Sequence, residues 1–174
     1  MELKYKLCSL DDLKQLRLIS EQTFVTAFEK DNDAVDFKNY IDKAFAIEKI
    51  KGELLNKNSN FYFAYQNSKF VGYFKLNVGD AQTDLKTDES IELERIYVLA
   101  HYQGKGLGKH ILDYIKGLAL NMSKKKLWLG VWEHNTAAIR FYQRQGFVKF
   151  DTHPYYIGED EQTDWLMGYD LSNL

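Results

Sequence analysis

The sequence has a single cysteine, a single proline and no apolar run that approaches membrane-spanning length. With Cys8 as the only thiol, neither an internal disulfide nor a zinc–thiolate cluster can form. The four histidines show no metal-ligand spacing, so we expect no metal site. Pro154 stands alone and no Ser/Gly-rich linker interrupts the chain, so we expect one domain over residues 1–174.

The sequence also lacks a basic excess and a signal peptide. Its formal net charge of -2 argues against a nucleic-acid-binding function. Without an apolar span or leader, we expect no membrane partner and a cytoplasmic location. Apolar residues make up 45% of the chain and aromatic residues 15%, which is enough for a buried core and excludes intrinsic disorder.

The hydrophobic periodicities predict the element order β-α-α-α-β-β-β-α-β-α-β-β, a mixed α/β (α+β) domain. The predicted strands cover residues 3–7, 61–65, 70–76, 91–98, 127–132, 147–152 and 163–169. The predicted helices begin at a Ser9–Asp12 capping box and near residues 37, 47, 107 and 135. A helix connects strands 91–98 and 127–132, so we expect these two strands to be parallel.

Three glycines lie between a predicted strand and a predicted helix, at Gly104, Gly106 and Gly108. Backbone N–H groups in such a loop, backed by a helix N-terminus, favour a phosphate-bearing ligand. A P-loop would require Gly-Lys-Ser/Thr, whereas Lys109 and His110 follow the last glycine. A dinucleotide fingerprint would require a further glycine and a downstream acid, and both are missing.

Two motifs follow each other along the chain. Q-x-x-G-x-G lies at 103–108, after the strand at 94–98, and N-x-x-A-I-x-F-Y-x-x-x-G-F lies at 135–147. Together they resemble the GNAT superfamily of N-acetyltransferases, which bind acetyl-CoA. The resemblance implies a GNAT fold, with a mixed, mostly antiparallel sheet whose central parallel strand pair is splayed around CoA and flanked by helices. Further stretches resemble the PaiA-type polyamine acetyltransferases; they lie at 23–24, 39–40, 128–133 and 161–164.

The resemblance also implies how acetyl-CoA, the expected co-substrate, is held. The pantetheine would pair with backbone of the strand at 96–98, the pyrophosphate would bind N–H groups of the glycine loop, and Asn135 would bind the cofactor arm. Tyr142 would act as the general acid that protonates the departing thiolate. The implied cofactor-binding residues are Ile96, Tyr97, Val98, Gln103, Gly104, Lys105, Gly106, Leu107, Gly108, Lys109, Asn135 and Tyr142.

Each of these assignments has a structural alternative. The glycines could form only a tight strand–helix turn, and Asn135 could be only a helix N-cap. Tyr142 lies on the same helical stripe as Ile139 and could be a core residue.

The acceptor, an amine in this family, must lose a proton before it attacks. Glu92 and Glu94 are two residues apart on one strand, so we expect both to face the same side together with Ile96 and Val98. Glu92 lies six residues before Val98, which is the spacing of the catalytic glutamate in the histone acetyltransferase branch. We therefore expect Glu92 to act through water, with Glu94 as the second candidate. Either carboxylate could instead be an edge charge or a partner for Arg95 or a lysine. Many relatives have a glutamate where this chain has Gly130.

The charge distribution bears on the acceptor. Residues 77–94 contain six acids and one lysine, and residues 151–164 contain five acids and no lysine or arginine. This pattern favours a polyamine such as spermidine or spermine over an acidic substrate. Two alternatives stay open: an acetyltransferase acting on a protein N-terminus or lysine, and a CoA-binding regulatory module without turnover. A homodimer is also open.

Overall fold

Seven strands and five helices follow one another in the predicted order in the computed structural model, which describes residues 2–173. The strands are β1 (Leu3–Leu7), β2 (Ser59–Gln66), β3 (Lys69–Asn77), β4 (Ser90–Val98), β5 (Lys126–Trp132), β6 (Val148–Ile157) and β7 (Asp160–Asp170). The helices are α1 (Leu13–Phe28), α2 (Ala34–Ala44), α3 (Ile47–Leu55), α4 (Leu107–Asn121) and α5 (Thr136–Arg144). The predicted capping box is confirmed: Ser9 and Asp12 bond each other's backbone at a short 3₁₀ turn before α1.

All strands belong to one sheet with the order β1-β2-β3-β4-β5-β7-β6. Every neighbouring pair is antiparallel except β4 and β5, which are parallel as predicted. Only three residue pairs join these two strands, from Ser90–Lys126 to Glu92–Trp128. Beyond Glu92 the two strands separate, so a V-shaped gap opens in the middle of the sheet. The predicted splayed parallel pair is therefore confirmed.

Helices cover both faces of the sheet and create two separate cores. On one face α4 and α5 bury an aliphatic stripe against the sheet, formed by Ile111, Leu112, Ile115, Ala119 and Ile139. On the other face α1, α2 and α3 bury Leu16, Phe37, Ile41 and Ile50 against aromatic residues of β2 and β3. The helix periodicity of the apolar residues explains both contacts, since each helix buries one stripe and exposes the other.

Strand β6 is longer than the sequence predicted. The expected strand ended at residue 152, but β6 continues through Pro154 to Ile157, and Pro154 is in register with Thr163 of β7. β6 is an edge strand, and a proline without an N–H donor is tolerated where one side of a strand has no partner.

A β-bulge in β4 corrects the predicted orientation of its side chains. Arg95 pairs with Lys75 and Leu93 pairs with Leu76, so Glu94 is an extra residue without a partner on β3. The extra residue inverts the alternation, and Ile96 and Val98 pack in the same core as Ile91 and Leu93. The expectation that the two glutamates share a face with Ile96 and Val98 was therefore wrong.

Candidate active site

The gap between β4 and β5 forms a cleft of about 480 Å³. Its walls come from β4, β5, β7 and α5, with aromatic side chains of α1, α2 and β6 closing one side. Eight of the predicted site residues line it: Glu92, Glu94, Ile96, Tyr97, Val98, Gln103, Asn135 and Tyr142. Residues 104–109 are not part of this lining, and they lie at the start of α4.

The glycine loop leaves backbone donors free at the N-terminus of α4. Gly104 and Gly106 have φ angles of 72° and 78°, which a residue with a side chain rarely adopts. Gly106 is the N-cap, no side chain caps the helix, and the first helical bond runs from His110 N–H to Gly106 O at 3.2 Å. The N–H groups of the first turn, from Leu107 to Lys109, precede this bond and can bind an anion.

Side chains of the loop point to protein partners, which leaves the backbone to face a ligand. Lys105 donates from Nζ to His101 O at 2.9 Å, and Lys109 forms an ion pair with Asp113 at 2.6 Å. Leu107 is buried, with 1% of its surface exposed. A Cβ built on Gly104 or Gly106 would contact no atom within 4 Å, so the space above both glycines is open.

Strand β4 offers a second set of unpaired backbone groups. Apart from the bulge residue Glu94, its residues 93–98 pair with β3 on one side, and none of them has a partner on β5. Gln103 stabilises the end of this strand by donating from Nε2 to Val98 O at 2.9 Å. A free strand edge of this kind can accept an extended ligand that forms strand-like hydrogen bonds.

Asn135 and Tyr142 come from α5, on the wall opposite β4. Asn135 is the N-cap, as the structural alternative held, since its Oδ1 accepts from Ala138 N–H at 3.1 Å. Its side-chain NH₂ can still serve a ligand, because Asn135 lines the cleft. Tyr142 packs in the core against Phe141 and Phe147 and also reaches the cleft. Burial raises the pKa of Tyr142, so the hydroxyl keeps its proton.

Glu92 is buried at the point where β4 and β5 separate. Its carboxylate accepts hydrogen bonds from the N–H and Oγ1 of Thr83, at 2.9 and 2.7 Å, and from Asn77 Nδ2 at 3.0 Å. The pKa of Glu92 is raised, mainly because the residue is buried. The charge of Glu94 raises this pKa further, although the hydrogen bonds from Thr83 and Asn77 lower it. A carboxylate with a raised pKa is a stronger proton acceptor.

Glu94 lies beside Glu92 but has cationic partners. Its Oε2 is 2.5 Å from Lys75 Nζ, and Arg95 Nε is 3.5 Å from its Oε1. Burial alone would raise the pKa of Glu94, but Lys75, Arg95 and the hydrogen bond from Asn77 lower it. Glu94 is therefore held as an ionised partner of two cations, as the alternative interpretation of this residue held.

Three cleft residues were not recognised as a group in the sequence: Asp84, His153 and Asp164. His153 Nδ1 is 2.8 Å from Asp84 Oδ1, and His153 is the cross-strand neighbour of Asp164. Both acids belong to the acidic tracts noted above, but only the β6–β7 register and the loop after β3 bring them together.

Aromatic rings form the remaining wall, on the side of α1 and α2. Phe24 and Phe28 of α1 lie near Tyr40 of α2 and Trp132 of β5. The hydroxyls of Tyr40 and Tyr155 form a hydrogen bond that links α2 to β6.

This arrangement of free helix N–H groups, an unpaired strand edge and a cleft tyrosine matches a known family. The sequence model of the acetyltransferase (GNAT) family matches residues 14–147. The chain belongs to this family. It is an acetyl-CoA-dependent acyltransferase of the N-acetyltransferase type, with the GNAT fold. The free N–H groups of the α4 terminus and the unpaired edge of β4 fit the phosphates and the amide-containing arm of the acetyl donor.

Individual relatives support the same family. An uncharacterised N-acetyltransferase of Lactobacillus delbrueckii subsp. lactis is 38% identical over 90% of each chain. A probable spermine N(1)-acetyltransferase of Bacillus subtilis subsp. natto is 36% identical over 48% of this chain and 55% of its own length. The crystal structure of the PaiA N-acetyltransferase of Thermoplasma acidophilum in complex with coenzyme A has a TM-score of 0.77 and 21% identity, covering 98% of this chain and 99% of that chain.

The described residues contain neither a metal-binding group nor a membrane-spanning helix. Within 2–173, no group of three or more His, Cys, Asp or Glu side chains is arranged to hold a metal ion. No helix in the same range combines the length and the apolar character that crossing a bilayer requires.

Proposed function

We propose that the enzyme transfers the acetyl group of acetyl-CoA to a primary amine of a polyamine such as spermidine or spermine. The observation that carries this proposal is the charge of the cleft. Four carboxylates line it, on Asp84, Glu92, Glu94 and Asp164, against the single guanidinium of Arg95. Arg95 is itself paired with Glu94, so the excess negative charge is available to a substrate.

An anionic cleft with aromatic walls suits a polycation with an aliphatic chain. Carboxylates attract the ammonium groups, and aromatic faces favour both the cations and the methylenes between them. The partial match to a probable spermine N(1)-acetyltransferase supports the same acceptor class, although it spans only about half of each chain.

The acetyl donor would be held mainly by backbone. In this proposal its phosphates bind the N–H groups of residues 104–109, and its extended arm pairs with Ile96, Tyr97 and Val98 on the free edge of β4. Asn135 binds the same arm from α5. The reacting thioester then lies in the cleft, near Tyr142.

The reaction proceeds by direct attack in a ternary complex. Glu92 accepts a proton from the acceptor nitrogen through a water molecule, because its pKa is raised and its Oε1 accepts only one hydrogen bond. The nitrogen lone pair attacks the thioester carbonyl, the C–N bond forms and the C–S bond breaks. Tyr142 gives its proton to the departing thiolate, and the proton that the nitrogen loses as the amide forms replaces it. Glu94 stabilises Lys75 and Arg95 next to this site rather than accepting the proton.

Release of CoA thiol with a panel of acceptors tests this function. Spermidine, spermine, a monoamine of similar length, a lysine-containing peptide and a free peptide N-terminus are compared at equal concentration. We expect the highest kcat/KM with the two polyamines. Turnover of peptides alone would identify a protein acetyltransferase. Tight binding of acetyl-CoA without thiol release from any amine would identify a regulatory module.

A further inference from the structure

Asp164 differs from the other carboxylates of the cleft because no hydrogen bond or ion pair of the described residues holds it. Within residues 2–173 no hydrogen bond acts on its carboxylate, whereas Glu92 accepts three hydrogen bonds and Glu94 is ion-paired. Asp164 is half-buried in the wall formed by β7, and it lines the cleft. Its oxygens are therefore free to contact a substrate.

Gly130 of β5 leaves the space that this carboxylate uses. A Cβ built on Gly130 would lie 3.4 Å from Asp164 Oδ2, so a long side chain at this position would fill the cleft beside Asp164. Both residues belong to neighbouring strands, and Asp164 pairs with Trp132 in the register. Because Gly130 has no side chain, the carboxylate of Asp164 on β7 is open to the cleft.

The cross-strand neighbour of Asp164 reaches solvent. His153 on β6 is the cross-strand neighbour of Asp164, and 46% of its side chain is exposed. Asp84 holds the imidazole by accepting from Nδ1 at 2.8 Å. An imidazole between a cleft acid and bulk water can accept a proton on one ring nitrogen and release one from the other.

Four titratable groups face Asp164: His153 and Tyr155 from β6, Asp84 from the loop after β3, and Tyr40 from α2. Burial raises the pKa of Asp164 to about 6, with Asp84 raising it and His153 lowering it. Burial also raises the pKa of both tyrosines, so they stay neutral. Asp164 is then ionised at neutral pH and accepts a proton more readily than an ordinary aspartate.

The chemistry of the proposed function requires two proton transfers from one nitrogen. An ammonium group that becomes an amide loses one proton before attack and one afterwards. The proton that is lost after attack replaces the one that Tyr142 gives to the thiolate. The proton that is lost before attack leaves the enzyme. A single buried acid such as Glu92 would have to release the first proton before it could accept the second.

We propose that Asp164 is a further catalytic residue, which takes the first proton from the substrate ammonium and passes it through a bridging water molecule and His153 to solvent. In this step an N–H bond breaks, an O–H bond forms on Asp164 and the electron pair stays on nitrogen, ready for attack. Glu92 then takes the proton that leaves the nitrogen after attack, so the first proton, which the proposed function alone gives to Glu92, goes to Asp164. This inference rests on the proposed function, since it requires an amine acceptor.

The pH profile of Asp164→Asn tests the inference. We expect kcat/KM for the best amine to fall about 10- to 100-fold at pH 7. This deficit should shrink toward the pKa of the amine, at about 10, because the free amine then enters without a proton to lose. His153→Gln should show a smaller deficit with the same pH dependence, and Asp164→Glu, which keeps a carboxylate, should restore much of the activity.

Asp151→Asn is the matched control, since Asp151 is an exposed acid of β6 outside the cleft. It should leave the profile unchanged. The melting temperature of Asp164→Asn should not fall, because the substitution removes an unpaired charge. A deficit of equal size at every pH, or no deficit, would overturn the role of Asp164. Failure of the unsubstituted enzyme to acetylate any amine would instead refute the proposed function.

Discussion

Neighbouring carboxylates of one cleft have opposite properties because their immediate partners differ. Glu92 and Glu94 both accept from Asn77 Nδ2, at 3.0 and 2.5 Å. Only Glu94 also contacts cations, through Lys75 and Arg95. Its pKa is lowered while that of Glu92 is raised. Spacing along the strand could not distinguish the two residues, but these contacts separate a structural charge from a candidate base.

Glu94→Gln and Glu92→Gln should therefore fail in different ways. Glu94→Gln leaves Lys75, which is 4% exposed, without its nearest anion and should cost about 3 kcal/mol of unfolding free energy at pH 7. The lowered pKa means that Glu94 stabilises the fold only while ionised, so the difference from wild type should narrow below about pH 4. Urea unfolding at several pH values measures it.

Glu92→Gln should keep the melting temperature and lose kcat. Its raised pKa shows that the fold does not favour the ionised form, so a neutral amide is tolerated. Equal stability losses in the two variants would contradict this separation.

Tyr142→Phe should lower kcat without weakening the binding of acetyl-CoA. The ring packs in the core, and Phe preserves that packing, while the hydroxyl that reaches the cleft is lost. We expect kcat to fall about 100-fold or more, with the Kd for acetyl-CoA and the melting temperature unchanged. Steady-state kinetics and calorimetric titration measure the two effects. An unchanged kcat across pH would exclude Tyr142 as the acid.

At the level of elements, the start of α4 is shaped by backbone conformation more than by packing. Gly106 has a φ of 78°, and no protein atom lies within 4 Å of a Cβ built on it. A side chain there would strain the backbone and occupy the space over the free N–H groups. Gly117, farther along the same helix, also has open space but a helical φ.

These two glycines make a matched pair for a prediction. Gly106→Ala should weaken acetyl-CoA binding at least tenfold and destabilise the fold by about 1 kcal/mol through its strained φ. Gly117→Ala should stabilise the fold by up to about 1 kcal/mol, because alanine favours a helix interior, and leave binding unchanged. Calorimetric titration with acetyl-CoA and thermal melts check both. Equal acetyl-CoA affinity in the two variants would show that the loop is only a turn.

The elements that the sequence predicted well are those with local signals. The capping box at Ser9, the helix after the glycine loop and the crossover between β4 and β5 follow from periodicity and end signals. The bulge at Glu94 and the extension of β6 through Pro154 do not, because pairing with a neighbouring strand decides both. The site differs in the same way: the motifs predict residues for the acetyl donor from local sequence, whereas the position of Asp164 in the cleft depends on its register with β5 and β6.

At the scale of the whole molecule, positive and negative side chains are concentrated in different segments. The loop and helix at 103–126 carry six lysines and one aspartate, whereas the cleft is lined by the carboxylates of Asp84, Glu92, Glu94 and Asp164. A basic segment suits the phosphates of the acetyl donor, and an acidic wall suits a cationic acceptor.

This division predicts a salt effect that depends on the acceptor. Raising the ionic strength shortens the Debye length from about 10 Å at 0.1 M to about 3 Å at 1 M. We expect KM for spermine to increase more steeply than KM for a monoamine, with kcat little changed. Initial rates in NaCl at both ends of that range measure the two slopes. Equal slopes would argue against recognition of several ammonium groups.

The short contact between β4 and β5 has a mechanical consequence. Within the sheet, three residue pairs join a four-stranded half, β1 to β4, to a three-stranded half, β5 to β7, while the core shared by both halves holds them from the faces. In the proposed function the acetyl donor pairs with Ile96, Tyr97 and Val98, where β4 has no partner on β5. A bound donor would then connect the two halves across the cleft. Its arrival would stiffen the wall against which the amine is aligned, and its departure as CoA would loosen that wall for the acetylated product to leave.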